Sequence, residues 1–85
     1  MKLQELAYTY IRKAEKVFED LEQAKSFQPI DASKVENVLD EAKRYLEDAK
    51  YYYGKGMFET SLASVAYCEG LLDALRILGL VIFYW

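Results

Sequence analysis

Two carboxylates, Glu69 and Asp73, stand four residues apart, and Arg76 follows three positions later. On a helix that spacing sets both acids side by side on one face, where a pair can hold a divalent cation or divide acid and base roles. A ligand-binding protein or small enzyme built this way would use Glu69, Asp73 and tyrosine hydroxyls at a cleft between helices. The same three residues also make an ordinary exposed ridge of ion pairs, which is the expectation favoured here. A metal site of useful affinity needs more oxygen ligands, and a chain without histidine has no Glu-x-x-His pair for a di-iron centre. Cys68 is the only cysteine and lacks a histidine to draw off its proton, so it reads as a small buried hydrophobe. No phosphate-cradling glycine loop, zinc-protease string or nucleophile elbow is present. No catalytic residue, cofactor or metal ligand is assigned, and the chain is not expected to be an enzyme.

Tyr51-Tyr52-Tyr53 is the most unusual local feature. Successive helical residues turn by about 100°, so three rings in a row cannot share one core, and Tyr51 is left facing outward. With Tyr8, Tyr45 and Tyr67 it suits an aromatic contact surface, although tyrosines also border small bundles with the ring buried and the hydroxyl wet. Stacking single-stranded nucleic acid on these rings needs a cationic groove as well. Here Lys43, Arg44, Lys50 and Lys55 alternate with Asp40, Glu41, Glu47 and Asp48. An RNA-associated accessory role is therefore the weakest alternative.

These residues need elements to position them. Eighty-five residues make one domain, and the 53% hydrophobic content is enough for a packed core. Fourteen acidic against eleven basic side chains, net −3, do not suit a phosphate-binding surface. No charged-then-apolar leader opens the chain, and no uninterrupted run of about 18 apolar residues is present. A cytoplasmic protein without a membrane partner is expected. The single Pro29 biases Gln28 away from helix, and Gly54-Lys55-Gly56 supplies a second break. Gly79 is a third stop signal, placed to follow a helix ending at Leu78. The pattern predicts helices over about 2–26, 32–54 and 57–79, with a tail at 80–85.

In the first helix Leu3, Ala7, Tyr10, Ala14, Val17, Leu21 and Ala24 recur at alternating steps of four and three. The second shows the same seam through Val35, Leu39, Ala42, Leu46, Ala49 and Tyr53. Its start is marked by Asp31 as a cap, or by Ser33 and Glu36 as a capping box. Lys16 with Asp20, Asp40 with Arg44 and Lys43 with Glu47 are expected to lace the outer faces.

The third helix differs. Val65, Cys68, Leu71, Leu72, Leu75 and Leu78 cover one side, while Ala63, Tyr67, Gly70, Ala74 and Ile77 cover another. Apolar coverage this wide predicts burial against more than one neighbour. Gly70 costs about 1 kcal/mol relative to Ala in a helix interior, so it is expected to admit another helix backbone. The fold class is therefore all-α, a three-helix up-and-down antiparallel bundle with a short apolar C-terminal tail. That tail, Leu80 to Trp85, carries no charge and must pack on its own bundle or on a second copy.

Ala42-Lys43-Arg44-Tyr45-Leu46-Glu47-Asp48-Ala49-Lys50-Tyr51-Tyr52, then Gly56, then Ala66-Tyr67-Cys68-Glu69-Gly70-Leu71-Leu72-Asp73-Ala74-Leu75, resembles a family of short archaeal proteins known as domain of unknown function 357. The likeness is strong from the second helix through the third. It implies a small cytosolic three-helix bundle with no assigned activity. The hairpin with Ala49, Tyr52, Gly56, Leu62, Ala63 and Ala66 also looks like one tetratricopeptide-type unit, which needs neighbours to cover its faces. A further likeness is to the helical partners of minimal nucleotidyltransferases. Those with ribonuclease activity use an Arg-x4-His motif that a histidine-free chain lacks.

The leading expectation is a non-catalytic helical module acting by protein–protein contact, with self-association into a homo-oligomer through the third helix and the aromatic tail. The expected contact residues are Tyr51, Tyr67, Gly70, Ala74, Phe83, Tyr84 and Trp85, beside the polar ridge of Glu69, Asp73 and Arg76.

Overall fold

A computed structural model describes residues 2–23 and 31–85. Three helices carry the chain: α1 (Leu3–Asp20), α2 (Ala32–Gly54) and α3 (Phe58–Ile77). Two very short strands complete it, β1 (Glu22–Gln23) and β2 (Val81–Ile82), paired antiparallel with Glu22 opposite Ile82. The molecule measures 43 × 20 × 17 Å, as expected for a bundle of helices about 27–35 Å long at 1.5 Å per residue.

The helix ends follow from local chemistry. The Asp31 side chain caps α2 by accepting from the Ser33 backbone N–H at 3.1 Å. At the other end of α2, Gly56 takes φ +76°. Its N–H donates to the Tyr53 carbonyl, and the Met57 N–H donates to the Tyr52 carbonyl. The same paired closure ends α3, where Gly79 has φ +75°, its N–H donates to Arg76 and the Leu80 N–H donates to Leu75. Both are Schellman motifs, which need a left-handed residue that glycine supplies without Cβ strain.

The first helix ends at Asp20, short of the expected residue 26. Leu21 is already extended at ψ 148°, and the backbone turns into the pairing with Val81–Ile82. Partnership with the returning tail competes with continued helix there, a non-local effect that periodicity does not carry. Ala24, Gln28 and Pro29 lie outside the described residues, so the expected proline stop does too.

The core runs between all three helices. Ile11, Ala14 and Val17 of α1 meet Val35, Leu39, Ala42, Leu46 and Ala49 of α2 and Val65, Cys68, Leu72 and Leu75 of α3. Ser61 sits in this layer with no solvent exposure. Its hydroxyl donates to the Ala49 carbonyl of α2 at 2.7 Å, the bond that lets a polar side chain be buried there. Leu80, Val81 and Phe83 of the tail close the core at the end where α1 and α3 finish.

The outer faces of α1 and α2 carry ion pairs. Lys16 reaches Asp20 at 3.8 Å as the spacing predicts. The other two expected pairs are replaced: Arg44 bonds Glu41, and Lys50 contacts Glu47 at 3.5 Å. Lys50 also crosses between helices to Glu15 at 2.8 Å. Among the described residues no helix is long and apolar enough to cross a membrane.

Candidate functional site

In α3 the residues Ser61, Val65, Cys68, Leu72 and Leu75 share one inward stripe. One hundred degrees per residue then sends Ala63, Ala66, Tyr67, Gly70, Ala74 and Ile77 to the opposite side, and all six are exposed. Ile77 is 74% exposed, Tyr67 64% and Leu78 60%. Leu78, expected on the core side, is outside, since at 100° per residue its position falls off the inward stripe just before the chain turns at Gly79. α3 packs against two neighbours, α1 and α2, as its wide apolar coverage predicts. Its outward face stays open, and no charged residue interrupts it between Ala63 and Leu78.

Three small residues, Ala66, Gly70 and Ala74, recur every four positions along this face. Among the described residues a Cβ built on Gly70 meets nothing within 4 Å, so none of them makes the close approach expected of Gly70. A shallow groove of about 430 Å³ runs here, lined by Ala63, Ala66, Tyr67, Gly70 and Leu71. The Tyr67 ring forms one wall, held by stacking on Tyr45 of α2 at 5.2 Å and 20°.

The other sequence-predicted contact residues divide. Tyr51 is exposed, but its aromatic and cationic neighbours, Tyr52 at 5.3 Å and Lys55 at 5.1 Å, belong to its own end of α2. Tyr8 faces Tyr53 instead, at 6.2 Å, so the tyrosines form separate pairs and not one surface. Phe83 is corrected outright, because it is buried in the core of its own bundle. The tail alternates as extended chain must, with Val81 and Phe83 inward and Ile82 and Tyr84 outward. Trp85 packs edge-on against Phe83 at 5.1 Å, and its indole N–H donates to Asp73 Oδ1 at 2.6 Å. Only Tyr84, 91% exposed, remains as a wholly free aromatic of the tail.

The polar ridge has an asymmetry the sequence does not reveal. Asp73 is engaged twice, by the Trp85 indole and by Arg76 Nη2 at 3.4 Å. Arg76 also lies 6.0 Å over the Phe83 ring. Glu69 instead turns toward α1 and lines a cavity of about 220 Å³ with Tyr10, Leu62, Val65 and Ala66. Its Oε1 is shielded from solvent and has no hydrogen-bond partner among the described residues. Burial pushes its carboxyl above the usual carboxylate range; Lys13 opposes that and the Asp73 charge adds to it. No group of three or more potential metal ligands occurs among the described residues.

The sequence reading placed Ala63 and Ile77 on this side without naming them as contact residues, and it missed Ala66 and Leu78; the wheel position of Ala66, opposite the Ser61–Leu75 stripe, was the available signal. No curated protein and no solved structure matches the chain. One family model does, over residues 9–81, which spans all of α2 and α3 and most of α1. With so much of its length matched, the chain belongs to the family described as "Protein of unknown function (DUF357)".

Proposed function

We propose that this chain is a non-catalytic helical module that works by contact and associates with a second copy of itself through the outward face of α3. The observation carrying this reading is the contrast between outer faces. Those of α1 and α2 are laced with ion pairs, whereas that of α3 exposes Ala63, Ala66, Tyr67, Gly70, Ala74, Ile77 and Leu78 without a charge. A continuous apolar strip of this length favours being covered in water, which supports a contact role. Gly70 supports the same reading: helix interiors disfavour glycine by about 1 kcal/mol, and no described residue packs closely enough to need it there. The tail contributes less than its composition implies, since Leu80, Val81 and Phe83 are spent on the core.

Sedimentation velocity over a wide concentration range tests the proposal. A concentration-dependent dimer is expected for the native chain. Ala74→Glu is expected to be monomeric with unchanged helical circular dichroism, because position 74 is exposed. A native chain that stays monomeric at millimolar concentration would sink the reading.

A second reading, a small-ligand site at Glu69, has one observation in its favour, the cavity that Glu69 shares with Tyr10. Its other carboxylate is already committed, since Asp73 bonds Trp85 and Arg76.

A further inference from the structure

Ala63, Ala66, Tyr67 and Gly70 stand at positions i, i+3, i+4 and i+7 of α3 and line the groove described above. Four residues at that spacing form the hole into which a side chain of a facing helix inserts. A matching knob lies on the same face of the same helix. Ile77 is 74% exposed and sits one and two turns beyond Ala74 and Gly70 respectively. We infer that two copies pair through α3 in antiparallel orientation, each placing Ile77 in the Ala63–Ala66–Tyr67–Gly70 socket of the other; this rests on the self-association proposed above and specifies its geometry.

The register follows from the two features. Setting Ile77 over the middle of the socket, between residues 66 and 67, puts the two-fold axis near residue 72. Ala74 of one copy then lies opposite Gly70 of the second, and Gly70 opposite Ala74. The smallest side chains of the face meet at the crossing, where helix axes must approach most closely. One operation satisfies both knobs and both sockets, as a closed two-fold dimer requires. A parallel pair would set Ile77 against Ile77 and leave both sockets empty.

Area points to a second copy as well. Tyr67, Ile77 and Leu78 are each at least 60% exposed, and four small residues lie beside them. Together they offer on the order of 500 Å² per copy, so pairing covers at most about 1,000 Å² in total, the lower limit of a specific interface. The expected dimer is therefore reversible and dependent on protein concentration.

Orientation is read by a spin label at Glu59→Cys, near the start of α3 and outside the socket, with Cys68 too buried to label. Antiparallel pairing about residue 72 separates the two labels by about 40 Å at 1.5 Å per residue, whereas parallel pairing brings them within about 15 Å. The knob is read separately by sedimentation of Ile77→Ala, expected to raise the dimer Kd at least tenfold with unchanged helical content. A short label distance, or an Ile77→Ala dimer as tight as the native one, would overturn the geometry while leaving self-association standing. A native chain with no dimer at any concentration would instead overturn the reading beneath it.

Discussion

At the residue scale, burial decides what each reactive group can do. Cys68 has no solvent exposure, and burial pushes its thiol up to about 12, with the neighbouring Glu69 charge adding to the shift. Only the thiolate attacks, so at pH 8 both access and ionisation are withheld until the chain opens. Reaction with an aromatic disulfide reagent is expected to be at least a hundredfold slower in buffer than in guanidinium, and to follow the unfolding rate. Stoichiometric reaction of the native chain within seconds would contradict the packing. This residue was legible in the sequence, because a lone cysteine on an apolar helix face without histidine has few other roles. Ser61 was not. A serine among Val65, Cys68 and Leu72 reads as polar surface until the Ala49 carbonyl is found 2.7 Å from its hydroxyl. Phe83 and Tyr84 were equally opaque: the composition of the tail marks it as apolar, but only the pairing of Val81–Ile82 with Glu22–Gln23 fixes which of its side chains turn inward.

At the scale of elements, breaks set by glycine were readable and those set by distant partners were not. Gly56 and Gly79 end their helices because the left-handed closure is local chemistry. The end of α1 at Asp20 depends on β2, about sixty residues later in the chain. Charge pairing divides in the same way, since Lys16 and Asp20 meet within one helix whereas Lys50 leaves α2 to bond Glu15 of α1. That contact joins two helices and has a measurable pH signature. The Lys50 ammonium holds the Glu15 carboxyl below its ordinary 4.5, and Glu15 in turn raises Lys50 above 10.5. A depressed carboxyl stabilises the fold above its unfolded pKa and stops doing so as pH falls through the folded value. A raised lysine stabilises below its unfolded pKa, and that support is lost as pH rises through the folded one. The pair therefore contributes from about pH 5 to about pH 10. Because Lys50 is partly exposed, the contribution is of the order of 0.5 kcal/mol. Lys50→Met is expected to lower Tm by a few degrees at pH 7 and by much less at pH 3, measured by thermal melts at both. An equal loss at the two pH values would assign the effect to packing.

At the scale of the whole molecule, the question is how 85 residues divide their apolar surface between core and exterior. Small domains are marginal: at about 0.05–0.15 kcal/mol per residue, this one has roughly 4–13 kcal/mol to lose. Leu80, Val81 and Phe83 are buried at the end of the bundle, where β2 also ties α3 to the end of α1. Losing a buried large side chain costs about 2–5 kcal/mol, so a chain ending at Gly79 forfeits an amount comparable to its whole stability. It is expected to be largely unfolded at 37 °C by far-ultraviolet circular dichroism. A chain ending at Phe83 keeps all three core side chains and gives up Tyr84, the Trp85 bond to Asp73 and the edge-on packing of Trp85 on Phe83, together worth about 2–3 kcal/mol. It is expected to remain folded, with a Tm lower by several degrees. The contrast separates two roles for the tail. If it served mainly as an intermolecular patch, truncation at Gly79 would abolish association and leave the monomer helical. If it belongs to the core, as its alternating burial indicates, the same truncation removes the fold itself, and the proposed contact role rests on the α3 face alone.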